Sequence, residues 1–496
     1  MTGPEVETAT GRVRGCRHAG VLRFDGIPFA RPPLGPLRFR APEPPAPWTG
    51  VHDATFARPA PLQRPGPALG TRPVGATAED CLHLNVVTPA LDGRRPVLVW
   101  IHGGGFVNGA ASDPIHAGER LVARGEVVLV TLDYRLGLFG FLHGRRGTNV
   151  GLQDQLAALR WVRTHADRFG GDAERVSVFG ESAGAMCLLA LLAMPEADEL
   201  FRGAVLQSAA AGGTMGPEEA ERVHAALAAE LGTDDEARWA TLPADRLLEA
   251  QVAVAAAIRR ETGRSAFRPL VDGVRVLGDA ALAVTRAHSG NRPLLLGSNA
   301  DEQRLYVNLR RPPARDDAAR RLALGLRRRT EAPVTAAHAA LAALAALHPE
   351  ESEAERLARA ETGLYYRLPA LELARLRQGH GRSWNYLFRW PSPALRGRLG
   401  ACHALEIPFV FGTLDAPGMD RFAGRGPAAE RLSAAMIDGW SAFAREGDPA
   451  AALPGWRPWE PTRRTTWIAD AEPACEDAPD EAERRLWCEV LPELRC

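Results

Sequence analysis

Four short stretches of this 496-residue chain carry residue types that could carry out acyl transfer together. In Gly180-Glu181-Ser182-Ala183-Gly184 a serine sits between two glycines, each two residues away. Where a strand runs into such a turn and a helix leaves it, the serine is held in a strained conformation. Its hydroxyl then projects at the positive end of the helix. In His102-Gly103-Gly104-Gly105-Phe106, glycines let backbone N–H groups approach a substrate with no Cβ in the way. An ester carbonyl under attack gains negative charge on oxygen, and losing one preorganised donor to it typically costs about 3 kcal/mol. This loop is expected to supply donors beside the N–H of Ala183. A phosphate-cradling loop would need G-x-x-x-x-G-K-[ST] or G-x-G-x-x-G, and neither occurs in it.

A serine nucleophile needs a neutral imidazole to take its proton and a carboxylate to orient that imidazole. The chain order for such a turn is serine, acid, histidine. Downstream of Ser182, Leu294-Leu295-Leu296 ends in Gly297-Ser298-Asn299-Ala300-Asp301-Glu302. Asp301 and Glu302 both qualify by position, and spacing does not choose between them. Of the 13 histidines, His102 belongs to the glycine loop, and His224, His338 and His348 fall in helical stretches. His403, in Gly400-Ala401-Cys402-His403-Ala404-Leu405-Glu406-Ile407-Pro408, has the right order and a loop setting.

The elements around these residues must position them. Pro96 to Ile101, Val127 to Leu132, Val176 to Phe179 and Ala204 to Leu206 are apolar runs with little alternation, as strands buried on both faces require. Further strands are expected at Pro293 to Gly297 and Trp384 to Phe388. Between Gly151 and Ala166, residues Leu152, Leu156, Leu159 and Val162 share a helical face. Ala185 to Leu192 reads as a second, buried helix. Alternating strands and helices predict an α/β class with a mainly parallel sheet covered on both faces. Short segments near Val6 to Thr10 and Val21 to Phe24 suggest a small antiparallel ribbon. The proline-rich stretch 28–73 reads as a surface wrap. Helical, alanine-rich blocks at about 217–260 and 313–377 read as a cap on one domain spanning 1–496. Arg327-Arg328-Arg329 and the acidic stretch Glu350 to Glu355 read as solvated surface.

Composition removes several classes. Lys+Arg and Asp+Glu both number 60, so no net field draws nucleic acid or an anionic membrane. The longest apolar run, Ala183 to Met194, is far short of the roughly 20 residues a membrane span needs. The first residues lack a basic, apolar leader, which predicts a cytoplasmic protein. Seven cysteines without C-x-x-C pairs fit reduced thiols better than a disulfide framework. Cys475, Cys488 and Cys496 lack zinc-ligand spacing. No cofactor or metal is expected.

With these residues placed, the chain resembles the type-B carboxylesterase/cholinesterase family, in particular its bacterial para-nitrobenzyl-esterase-like members. The resemblance rests on Phe24-Asp25-Gly26-Ile27-Pro28-Phe29-Ala30, Glu79-Asp80-Cys81-Leu82-His83-Leu84-Asn85, and Asn149 to Gln155 through Phe169-Gly170-Gly171-Asp172. It also rests on the serine, acid and histidine blocks. It spans nearly the whole chain and thins only in the cap. It implies an α/β-hydrolase fold, with Ser182 as nucleophile, Glu302 as acid and His403 as base. It implies Gly104, Gly105 and Ala183 as oxyanion donors, Glu181 as a supporting carboxylate and Ser208 as a serine behind the acid. The expected activity is hydrolysis of small-molecule carboxylic esters through an acyl-enzyme, by a monomer or weak homodimer. An amidase, carbamate hydrolase or lactonase with the same triad remains an alternative, as does a non-catalytic adhesion relative.

The chain departs from the family in three places. Ala60-Pro61-Leu62-Gln63 lacks the cysteine that pairs with the Cys81 position in secreted relatives. No aromatic lies between Gly66 and Asp80, where choline-binding relatives carry one. The small residues of Gly263-Arg264-Ser265-Ala266, before Phe267, suggest a roomy acyl pocket.

Overall fold

In the computed structural model the described residues are 3–64, 76–210, 212–278, 280–285, 291–307, 313–327 and 330–492. The apolar runs assemble into one sheet of eleven strands. Numbered along the chain within this sheet, they are β1 Cys16–His18, β2 Val21–Pro28, β3 His83–Thr88, β4 Arg95–Ile101, β5 Val128–Leu132, β6 Gly171–Glu181, β7 Gly203–Gln207, β8 Leu294–Asn299, β9 Ser383–Phe388, β10 Thr465–Ala469 and β11 Ala474–Asp477. Their spatial order is β11-β10-β9-β8-β7-β6-β4-β5-β3-β2-β1. From β10 to β5 every neighbouring pair is parallel. Antiparallel pairs finish both edges. The ribbon expected from Val6 to Thr10 and Val21 to Phe24 does not form as such: Glu5–Thr8 pairs antiparallel with Gly11–Arg14 in a separate small sheet, whereas Val21–Pro28 joins the large sheet, because the chain already turns back at Thr8–Gly11.

Side-chain alternation divides the interior. On β4, Val97, Val99 and Ile101 enter one core, and Leu98 and Trp100 enter the other. The helices Val150–His165 and Ala183–Leu192 cover the first face. The helix Pro427–Glu446 covers the second, with Trp440 fully buried. Full burial of one large apolar side chain is worth about 1.5–3 kcal/mol, so these faces dominate the stability of the sheet. A buried ion pair, Arg135 Nη2 to Asp154 Oδ1 at 2.6 Å, ties the Val150–His165 helix to the segment after β5.

The helices Pro217–Leu231 and Ala244–Thr262 lie within the first expected cap block, and their apolar faces join the first core. Arg315–Leu326, Pro333–Leu347, Glu353–Thr362 and Leu368–Leu376 lie in the second block. The first three pack with Trp487 into a third, separate core.

Three further expectations need adjustment. Glu351, read as solvated, is 8% exposed and engages Arg359, and Ser352 and Glu355 form a helix-capping box. A run of charges does not reveal that one member is caught under a helix. Arg328 and Arg329 lie outside the described residues, as does 65–75 of the proline-rich wrap. Cys16, Cys81, Cys187, Cys402 and Cys475 are free thiols, but Cys488 is disulfide-bonded. A single bond leaves no spacing signature of the kind that betrays a framework.

Candidate active site

The parallel strands end at one edge of the sheet, where binding crevices form in such folds. The register brings the chemical residues to that edge. Gly180 lies beside Ile101, Glu181 beside Gln207, Gln207 beside Gly297, and Asn299 beside Phe388. Ser182 follows β6 directly, the glycine loop follows β4, Ser208 follows β7 and Glu302 follows β8.

Ser182 has φ 53° and ψ −122°, a left-handed conformation rare for a residue with a side chain. Its N–H donates to the Gln207 carbonyl (2.9 Å), and its carbonyl accepts from Met186 N–H (2.9 Å). These bonds hold the turn in the conformation the strain opposes. Gly184 is required by packing: a Cβ there would run into the Ile101 carbonyl oxygen. Ala183 opens the helix, so its N–H has no intrahelical acceptor.

The glycine loop folds back beside the serine. A Cβ on Gly103 would stand 3.2 Å from Ser182 Cβ and 2.7 Å from Glu181 Oε2. Gly105 has φ +63° and only open space where a Cβ would lie. Gly104 O accepts from Val107 and Asn108 N–H, closing the turn (3.2 and 3.0 Å). The Tyr134 hydroxyl donates to His102 O at 2.8 Å, and its ring stacks on the His102 ring. Gln63 grips Gly109 twice: its amide donates to Gly109 O (2.8 Å) and accepts from Gly109 N–H (2.9 Å). Burial holds His102 down at about 3, against the smaller effect of its bond to Gly103 O.

The structure separates the two acids that spacing left open. Glu302 Oε2 lies 2.5 Å from His403 Nδ1. Its Oε1 accepts from Ser208 Oγ (2.6 Å) and Asn299 N–H (2.8 Å), and the residue is fully buried. Asp301 turns the other way, accepting from Ala401 N–H (3.0 Å) and pairing with Arg304 (2.9 Å). It pins the loop that carries His403.

On the far side of the imidazole, His403 Nε2 lies 3.0 Å from Glu181 Oε1, off the line of a hydrogen bond. Burial opposes charge on His403, but Glu181, then Tyr306, Tyr366 and Glu302, outweigh it and push the imidazole well above its ordinary range. Burial raises Glu181 in turn, and His403 offsets part of that. The rings of Tyr366 and Tyr306 stand 5.2 and 5.6 Å from the His403 ring. The geometry thus brings together Glu181, His403, Glu302 and Ser208, with Ser182 following Glu181 directly and lying beside the glycine loop.

Behind them is a buried carboxyl without a role in the sequence reading. Glu406 accepts from Gln207 Nε2 (3.1 Å) and Asn299 Nδ2 (2.7 Å). Burial, then repulsion from Glu181 and Glu302, pushes it up to about 8. Its signal was its place three residues after His403. Tyr306 and Tyr366 gave no signal: Tyr306 is a single aromatic in a loop, and Tyr366 is one of two adjacent tyrosines in a helical block. Ala266 and Phe267 are buried in the first core. Among the described residues no cluster of three or more histidine, cysteine or acidic side chains could hold a metal ion. None of their helices is long and apolar enough to cross a membrane.

A fold of this kind, with a serine elbow at the carboxyl edge and a histidine–glutamate contact over it, defines a class of serine hydrolases. The comparisons agree and are more specific. The Carboxylesterase family model matches residues 2–487, and the chain belongs to that family. It is 36% identical to the para-nitrobenzyl esterase of Bacillus subtilis (strain 168), covering 98% of both chains. It is 34% identical to the phenmedipham hydrolase of Pseudarthrobacter oxydans, over 92% of this chain and 93% of that one. A solved PNB esterase structure superposes with a TM-score of 0.85 at 35% identity, covering 98% of this chain and all of that one. The protein is a carboxylic-ester hydrolase of the α/β-hydrolase fold.

Proposed function

We propose that the protein hydrolyses small-to-medium carboxylic esters through an acyl-enzyme on Ser182, with His403 as base and Glu302 as its orienting acid. The 2.5 Å contact of His403 with Glu302, beside the strained Ser182 elbow, is the observation that carries this reading. Neutral His403 turns Nε2 from Glu181 toward Ser182 and takes the hydroxyl proton as Oγ attacks the ester carbon. Catalytic hydrogen bonds often tighten in this way only when substrate is bound. The carbonyl π electrons move to oxygen, and the N–H groups of Gly104, Gly105 and Ala183 stabilise the charge. The imidazolium gives its proton to the departing alkoxide. Water, deprotonated by His403, then attacks the acyl-enzyme, and collapse releases the acid and restores Ser182. Glu181 and Glu302 both favour the imidazolium formed in each half-reaction.

Ser182→Ala is expected to abolish hydrolysis of short para-nitrophenyl esters in a protein with unchanged circular dichroism. Turnover above that of a mock preparation would refute the nucleophile. Glu302→Gln should lower kcat by about 10⁴-fold, as loss of the orienting acid does elsewhere. Asp301→Asn should cost far less, and the reverse order would reassign the acid.

An amide, carbamate or lactone would use the same machinery, and a panel of matched substrates separates them. We read the chain as one domain with a helical cap and a roomy acyl pocket. We place it in the cytoplasm, since the free thiols of Cys16, Cys81, Cys187, Cys402 and Cys475 suit a reducing compartment. We expect a monomer or weak homodimer. Cell fractionation and light scattering test these last two points.

A further inference from the structure

A cavity of about 220 Å³ lies behind the loop that leads into Glu302. Residues 299–301 form one wall, and Trp487 of the helix Glu481–Val490 forms another. Gly363 and Arg367, the two ends of a π-helical turn between the helices Glu353–Thr362 and Leu368–Leu376, form a third wall. Such wide turns are rare and recur at functional sites. This one presents consecutive residues to two places. Tyr366 stands against His403, and Arg367 lines the cavity.

The other three arginines of the cavity are already neutralised. Arg359 pairs with Glu483 (2.9 Å) and Glu351, Arg389 with Glu476 and Asp480 (both 3.0 Å), and Arg484 with Glu481 (2.7 Å). The cavity carboxylates are likewise held: Asp301 by Arg304, Asp480 by Arg389, and Glu483 by Arg359 and His348. Arg367 differs. Among the described residues it forms no ion pair, and its one hydrogen bond runs from Nη1 to the neutral Asn385 Oδ1 (2.8 Å). Its Nε is buried without a partner. Burial lowers it to about 10, against the pull of Asp480 and Glu483, so it still carries its charge at neutral pH.

Arg367 is part-buried, and a cation drawn out of water without an ion pair is costly unless something neutralises it. A guanidinium offers a planar fork of donors suited to carboxylate and phosphate oxygens. The cavity exceeds the roughly 150 Å³ that accommodates benzene elsewhere. We propose that this cavity binds a small molecule bearing a phosphate or carboxylate group, with that oxyanion seated on Arg367.

The test titrates the full-length protein with inorganic phosphate and, separately, with citrate, against sodium chloride of equal ionic strength. Binding is followed by calorimetry and by tryptophan fluorescence, since Trp487 lines the cavity. One saturable site is expected for at least one probe. Response to phosphate alone points to a phosphate ester, and response to citrate alone to a polycarboxylate. Arg367→Gln should weaken the site by about ten-fold or more, the scale of a lost charge-assisted hydrogen bond. Asp480→Asn, which removes a nearby negative charge and leaves Arg367 in place, should tighten it. That second variant keeps the test decisive if Arg367→Gln fails to fold. No saturable binding by the unaltered protein overturns the proposal. So does an affinity unchanged in folded Arg367→Gln, or weakened in Asp480→Asn.

Discussion

His403 lies between two buried carboxylates, and that arrangement has a sign that can be measured. As the proposed base, His403 would work as neutral imidazole, yet Glu181 and Glu302 favour the imidazolium and raise its pKa. Activity should therefore rise with pH along a limb set by His403 and lying above the ordinary histidine range. Glu181→Gln removes one negative charge at 3.0 Å from Nε2. The imidazolium is then less favoured, its pKa falls, and the acid limb of the kcat/KM profile should move to lower pH. Opposite charges at this range shift a pKa by about 1–3 units, which fixes the size to look for. An unmoved limb would mean that Glu181 does not act on the base. Strand, turn and chain order were enough to mark Ser182 and His403 as candidates in the sequence. It could not choose Glu302 over Asp301 by spacing, since adjacent residues differ only in the direction their carboxylates point. Nor could it weigh Glu406, whose pKa depends on burial and on two carboxylates distant in sequence.

Among the elements, the glycine loop depends on a segment whose sequence suggested only a surface wrap. The described part of the proline-rich stretch delivers Gln63 to Gly109, where one side-chain amide satisfies both backbone groups of a loop glycine. Leaving a buried backbone group unpaired costs about 1–3 kcal/mol. Gln63→Ala should therefore loosen the proposed oxyanion donors and lower kcat by about ten-fold or more. KM should change less, because the donors act on charge that develops after binding. A fall in stability with kcat intact would confine Gln63 to a structural part. The strands were legible to differing degrees. Those from β4 to β9 stand out as apolar runs because both their faces are covered. Edge strand β11 is exposed at all four residues, so no hydrophobic pattern marked it. Strand β3 was seen only as part of a family motif, although most of its residues are buried.

For the whole molecule, the two helical blocks look alike in composition but relate differently to the sheet. The block near 217–260 sends Val223, Leu227, Leu247 and Val254 into the first core. The block near 313–377 gathers Leu322, Leu341, Leu344 and Leu357 around Trp487 into a core of its own. Alanine-rich amphipathic helices carry no mark of which core they will enter, so one cap was the most that sequence supported. The second block nevertheless reaches the site: Thr362 Oγ1 accepts from Gln303 N–H (3.1 Å), and Tyr366 meets the His403 ring. Trp487, 1% exposed, joins that core from the far end of the chain. Trp487→Ala removes a large buried side chain, a change that typically costs about 3–5 kcal/mol. Because the third core is separate, the loss should fall on the 313–377 helices. Hydrogen exchange is expected to quicken there by about two orders of magnitude or more. The strands β4 to β8 should keep their protection. The same helices press Tyr366 toward His403, so kcat should fall along with local protection. Equal loss of protection across the sheet would mean that the three cores unfold as one unit.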